Sequence, residues 1–183
     1  MQKILGLFIG LLTLLYPLAV YFGIQYYQPW QIALVLSLLL LLRLWTSSAI
    51  RRWNQCLMLI GILFCGWVIW DNSQVSLLFY PVLINFSLFM IFAYSLFFPP
   101  TIIERLARLQ HPNLPEQGVN YTVQVTKVWS LFFLLNGLAA LATALWSSFF
   151  WWSLYNGLIA YLLIGLIMGI EYLIRIRTMD HVR

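Results

Sequence analysis

Charged residues are scarce in this chain, where they make up 8% of 183 residues while 63% are hydrophobic. A soluble domain carries about 25% charged residues, and so few charges do not keep a globule of this size dissolved in water. The composition therefore indicates a protein that lives in lipid. At roughly 20 residues per span, the length suits about six transmembrane helices with short joints, all in one domain.

Residues that carry chemistry are also scarce: the chain has five acidic residues, two His and two Cys. It contains no HExxH motif, glycine-rich phosphate loop or paired-cysteine motif. Cys56 and Cys65 lie about two and a half turns apart on one predicted helix, which keeps the two thiols from meeting. The sequence thus predicts no catalytic, cofactor or metal site, and it disfavours an enzyme without excluding one.

Apolar runs separated by polar turns predict an all-α bundle of transmembrane helices. The predicted spans are 4–24, 30–45, 54–70, 77–98, 127–146 and 151–174. The first span is predicted to be a retained anchor rather than a signal peptide. The reason is that Tyr16, Tyr21 and Phe22 stand where a cleavage site needs small residues.

The ten Lys and Arg residues all fall on one side of a chain that crosses the membrane six times. They lie before the first span, around the joints after the second and fourth spans, and after the last. Cytoplasmic joints are the ones enriched in Lys and Arg. Both termini and the long loop 99–122 are therefore predicted to be cytoplasmic. The scatter of these charges leaves no basic face for nucleic acid.

Two of the asparagines inside the predicted spans, Asn85 and Asn136, lie at similar depths. Counted from the outer ends of their spans, Asn85 and Asn136 differ in depth by about 4–5 Å, so their amides are close enough in depth to pair. One interpretation is a hydrogen bond between helices, worth about 0.6–2 kcal/mol. The other is a polar site for a lipid headgroup or a substrate.

Asn156 and Glu171 complete the candidate polar residues within the spans. Ionisable side chains inside a membrane are candidates for function, here a proton relay or transport. Glu171 also precedes Arg175 by one helical turn, which is the favourable order for a local ion pair. Both interpretations of Glu171 stay open at this point.

The long loop contains a short amphipathic segment, PTIIERLARL, at 100–109. Its apolar residues are Ile102, Ile103, Leu106 and Leu109, and its charged residues are Glu104, Arg105 and Arg108. We expect the charged residues to turn toward water, with Glu104 and Arg108 paired. Such a helix can lie on the membrane surface with its arginines on anionic phosphates. It can equally be a docking site for a cytoplasmic partner, or a plain connector.

Small residues recur four apart in three spans, at Gly6 and Gly10, at Ala140 and Ala144, and at Gly165 and Gly169. This spacing lets helices approach closely. It favours packing within the bundle and is also compatible with a homo-oligomer.

Four segments carry a resemblance to known proteins: YPVLINF at 80–86, PPTIIERL at 99–106, LP at 114–115 and WSLFFLLNG at 129–137. They resemble a family of small uncharacterised bacterial inner-membrane proteins, some of them encoded among genes for aryl polyene synthesis. More distantly, the layout is similar to the intracellular septation protein A family. The resemblance implies an integral inner-membrane protein linked to envelope biogenesis, and it brings no catalytic residues. The short basic tail and the outer joints without basic residues depart from the septation family.

These observations favour a non-enzymatic membrane protein that supports cell-envelope or lipid and polyene assembly. It would dock cytoplasmic enzymes or other membrane proteins through loop 99–122, with membrane lipids as further partners. The alternative is a lipid or acyl-product transporter or flippase with a polar path between the fourth, fifth and sixth helices. A membrane-bound acyl- or glycosyl-transferring enzyme has the least support, because acids, bases and metal ligands are lacking.

Overall fold

The structure is a computed structural model that describes residues 23, 26–46 and 52–179. Within these residues the regular structure is helical, and no strand occurs. The helices are α1 (Pro29–Thr46), α2 (Arg52–Asp71), α3 (Gln74–Leu78), α4 (Tyr80–Phe97), α5 (Ile102–Gln110), α6 (Glu116–Trp146), α7 (Phe149–Leu154) and α8 (Ala160–Met179). A π-helical turn, Tyr155–Ile159, joins α7 to α8. The predicted first span, 4–24, lies outside the described residues apart from Gly23.

Three helical stretches are long and apolar enough to cross a membrane: Gln74–Phe97, Glu116–Trp146 and Phe149–Arg177. Two further apolar helices, Pro29–Leu42 and Met58–Asp71, are shorter. The described chain is thus an all-α protein with three candidate membrane spans. The number of six spans stays a prediction.

The predicted span 77–98 is interrupted near its start. Helix α3 ends at Leu78 and α4 begins at Tyr80, with Pro81 in the first turn of α4. Proline has no backbone N–H and its ring clashes with the carbonyl four residues earlier, so a continuous helix through this point is unfavourable. The apolar pattern of 77–98 runs through Pro81 without a break, so hydropathy alone does not predict this interruption.

Helix α6 begins at Glu116, so the prediction that loop 99–122 runs to residue 122 is wrong. Pro115 precedes the helix with an extended backbone, and Glu116 lies in the first turn, where an acidic side chain is favoured. The 31 residues of α6 extend about 46 Å, more than the hydrocarbon core of about 30 Å. The predicted span 127–146 is the apolar part of this longer helix.

Helices α4 and α6 pack side by side in opposite directions. The rings of Phe92 and Phe133 meet edge to face with centroids 5.1 Å apart. Nearer the other end, a Cβ added to Gly137 would lie 3.2 Å from Cβ of Asn85. The absence of a side chain at Gly137 therefore lets the two helices approach closely, as small residues do in membrane bundles.

A core of buried apolar side chains joins α1, α2 and α3 to the end of α6 and to α7. It comprises Ala33, Leu36, Leu40, Phe64, Cys65, Val68, Leu77, Tyr80, Ala144 and Trp152. Trp152 and Leu77 are fully buried in it. This core holds α1, α2 and α3 against the bundle at the end where α6 meets α7.

Candidate functional site

Three polar side chains form a hydrogen-bonded cluster between the spans, which we call the amide cluster: Asn85, Asn136 and Tyr155. Asn136 Nδ2 donates to Asn85 Oδ1 at 2.9 Å, and the Tyr155 hydroxyl donates to Asn136 Oδ1 at 2.8 Å. Asn85 Nδ2 in turn donates to the backbone carbonyl of Pro81 at 2.8 Å. The two asparagines predicted to be close in depth are therefore in direct contact. The cluster joins α4, α6 and the π turn.

The π turn places Tyr155 and Asn156 against α6. The N–H of Ala160 bonds to the carbonyl of Tyr155 five residues earlier, which is the π-helical pattern. Tyr155 reaches Asn136, while Asn156 Nδ2 donates to Thr143 Oγ1 at 3.1 Å and to the carbonyl of Trp152 at 2.9 Å. Two consecutive residues thus bind α6 at points about two turns apart. Nothing in the sequence pattern signals this turn.

Glu171 lies at the opposite end of the same helices. The Tyr121 hydroxyl lies 3.2 Å from both Glu171 Oε1 and the Glu171 backbone carbonyl, and it can donate to either. Arg175 Nε lies 3.7 Å from Glu171 Oε1, so the expected local pair is present with a second partner added. Sequence reasoning missed Tyr121, whose contact joins residues far apart in the chain.

The polar residues predicted for a transport path fall into separate groups. Along α6, Tyr121 and Asn136 are about 22 Å apart. The buried hydroxyls between them, Thr122, Thr126 and Ser130, donate to carbonyls of α6 itself. Among the described residues, every buried side-chain nitrogen and oxygen has a hydrogen-bond partner. The interior therefore consists of closed local clusters.

Helix α5 is oriented differently from the prediction. Its N-terminus is capped by Thr101, whose Oγ1 accepts from the N–H of Glu104 at 3.3 Å. Glu104 is 5% exposed, whereas Leu106 is 52% and Leu109 68% exposed. The prediction that Glu104 turns toward water is thus wrong. Helix α5 packs against α4 and α6, and Glu104 lies on the buried side of the helix.

The arginines of α5 bind within the segment itself. Arg108 Nη2 lies 2.8 Å from Glu104 Oε1, which is the expected pair, and Arg108 Nη1 donates to the carbonyl of Pro112 at 3.2 Å. Arg105 Nε donates to the carbonyl of Pro100 at 2.7 Å. These bonds fix the turn before α5 and the turn after it. Both arginines remain half-buried.

The connection that follows, 111–115, and the adjoining helix ends form a polar and mostly exposed segment, which we call loop 110–117. Besides the bond from Arg108, it is held by Leu114, whose side chain packs over Gly118. A Cβ added to Gly118 would lie 3.0 Å from Leu114 Cδ1. The exposed loop therefore has a defined shape set by contacts at both of its ends.

Among the described residues no group of three or more His, Cys, Asp and Glu is close enough to hold a metal ion. Cys65 is a free, buried thiol. The side chain of Cys56 lies outside the part of the chain that the structure describes.

Comparison of the chain with protein-family models, with curated proteins and with solved structures gives no match.

Proposed function

We propose that this chain is a non-enzymatic integral membrane protein that supports envelope, lipid or polyene assembly by holding partners at the membrane surface. The observation that carries the proposal is the amide cluster of Asn85, Asn136 and Tyr155, in which the polar groups bind one another. A cluster that joins α4, α6 and the π turn, and in which each donor atom has a partner, stabilises a fixed arrangement. The envelope and polyene context comes from the resemblance in the sequence.

The surface that such a scaffold offers is the exposed connection 110–117. It is anchored by the Arg108–Pro112 bond and by the packing of Leu114 on Gly118. A loop already held in one shape loses less conformational entropy on binding than a free loop. This favours docking of a cytoplasmic enzyme or another membrane protein here.

The orientation belongs to the same proposal. Loop 110–117 and the end of α8 lie at one end of the bundle, because Tyr121 binds Glu171 there. Arg175 and Arg177 are at that end, which we call the basic end. In a bacterial inner membrane, an end rich in Arg and Lys lies on the cytoplasmic side. Partners at the basic end would then be cytoplasmic proteins.

Transport of a lipid or an acyl product is the less favoured function. It needs polar groups that follow one another across the membrane. Here the amide cluster and Glu171 are separated by about 22 Å, and the hydroxyls between them bond to their own helix. A third possibility, an enzyme, has no supporting constellation among the described residues.

Site-specific photo-cross-linking in cells tests the docking proposal. A photoreactive amino acid at His111 or Asn113, both exposed in the loop, is compared with one at Ser147, which is exposed at the other end of α6. We expect one cytoplasmic protein to be captured repeatedly from both loop positions and never from Ser147. Capture of lipid alone at the loop, or the same proteins at all three positions, would refute docking at 110–117.

A further inference from the structure

Helix α5 has the carboxylate of Glu104 inside and Leu106 and Leu109 outside. Glu104, which forms the ion pair with Arg108, is 5% exposed, while Leu106 and Leu109 are more than half exposed. A surface helix in contact with water shows the reverse arrangement, with polar residues outward. The outward leucines therefore indicate an apolar surrounding.

The position of α5 along the bundle identifies that surrounding. The N–H of Ile102 bonds to Ser95 Oγ at 3.1 Å, so α5 begins beside the last turn of α4. Phe97 and Phe98, which end that span, are 79% and 56% exposed and continue the apolar surface. A membrane is about 40–45 Å thick including its headgroups, close to the length of about 46 Å of α6. Because α5 packs against α6 and begins beside the last turn of a span, it lies at headgroup level.

The charges at this end of the bundle suit anionic headgroups. Lys127 and Arg177 are exposed at the same end of the bundle, and the Arg175 side chain is 45% exposed. Arg105 has its Nε bound to Pro100 and, unlike Arg108, no carboxylate partner among the described ion pairs. Basic residues at the membrane surface attract anionic lipids by about 1 kcal/mol each.

We propose that the outer face of α5 is a lipid-binding surface, with Leu106 and Leu109 in the acyl-chain boundary and Arg105 on the phosphates of anionic phospholipids. The proposal requires that the chain spans a membrane. It does not depend on a partner at loop 110–117, because lipid occupies one face of α5 and the loop beyond it faces water.

Spin-label accessibility tests this on the purified full-length protein in nanodiscs of phosphatidylglycerol and phosphatidylcholine. A nitroxide is attached in turn at Leu109→Cys, Leu135→Cys and Asn113→Cys in a Cys56→Ala, Cys65→Ala background. Leu135 is exposed within a span and serves as the lipid reference, and Asn113 is the water reference. We expect the Leu109 label to be more accessible to oxygen than to a water-soluble nickel complex, as the Leu135 label is. Accessibility like that of Asn113, or shielding from both reagents, would overturn the proposal, the second result indicating a protein neighbour.

Counting the lipid molecules that stay bound to the protein gives a second test, which leaves both native cysteines in place. Native mass spectrometry measures the phosphatidylglycerol retained by the wild-type protein, by Arg105→Gln and by Arg105→Lys. We expect retention to weaken about fivefold in Arg105→Gln, corresponding to one basic residue at the surface, and to be restored in Arg105→Lys. Equal retention by all three proteins would remove Arg105 from the proposed surface. Cross-linking at loop 110–117 is a separate measurement, so either proposal can fail alone.

Discussion

The indole N–H of Trp152 donates to the backbone carbonyl of Leu78 at 3.0 Å. Leu78 is the last residue of α3, at the point where the helix breaks before Pro81. The break leaves this carbonyl without its usual helical donor, and a carbonyl that is partly shielded from water is stabilised by a new partner. Trp152, which is fully buried, supplies the donor from α7. The interrupted span and the last span are thereby joined at one point.

We expect Trp152→Phe to lower the free energy of unfolding by about 1–3 kcal/mol, because the Leu78 carbonyl loses its donor. Trp151→Phe is the matched control, since Trp151 is an exposed neighbour in the same helix. Reversible unfolding of both variants in mixed micelles gives the two values. Equal stability of the two variants would show that the bond from Trp152 contributes nothing.

Gly137 gives a prediction about the distance between α4 and α6. Gly137→Leu would place a side chain where Asn85 and Phe86 already lie, so we expect destabilisation of about 1–3 kcal/mol or more from overpacking. Gly165→Leu is the control, because a Cβ there meets no atom within 4 Å. Thermal unfolding in detergent compares the two variants. Similar melting temperatures would contradict the close approach at Gly137.

Tyr121 gives a prediction for the basic end of the bundle. Tyr121→Phe removes the hydroxyl that binds Glu171, and we expect a loss of about 0.5–1.5 kcal/mol in the free energy of unfolding. Tyr172→Phe serves as the control, since Tyr172 is exposed and keeps its ring beside Arg175. If the two variants lose the same stability, the Tyr121–Glu171 contact is not a tie between α6 and α8.

Orientation is tested with topology reporters. Fused after Arg183, a reporter that works only in the cytoplasm should be active, and one that works only in the periplasm should be inactive. The reason is that Lys and Arg accumulate on the cytoplasmic side. A fusion at Ser147, between α6 and α7, should give the opposite result. Periplasmic activity after Arg183 would reverse the proposed orientation and with it the cytoplasmic docking at loop 110–117.

The sequence predicts several of these features because they depend on composition and helical geometry. The scarcity of charge predicts a membrane protein, and depth counting brings Asn85 and Asn136 close enough to pair. Helical spacing predicts the pair of Glu104 and Arg108. None of these inferences needs knowledge of how the helices pack.

Features that depend on packing were not predicted. The amphipathic pattern of α5 shows that two faces exist, but it does not show that Glu104 faces the bundle and Leu109 faces out. The bond of Tyr155 to Asn136 depends on a π turn, which has no signature in the spacing of apolar residues. Hydropathy starts the fifth span at Lys127 because hydropathy measures affinity for lipid. The helix itself starts earlier, at Glu116, and its first turns contain polar residues.

A double-mutant cycle on Asn85 and Asn136 tests most directly whether the polar interior holds the helices together. The free energy of unfolding in lipid is measured for the wild type, Asn85→Ala, Asn136→Ala and the double variant. We expect a favourable coupling of about 0.6–2 kcal/mol between the two amides. Two single-variant effects that simply add, with no coupling, would contradict it.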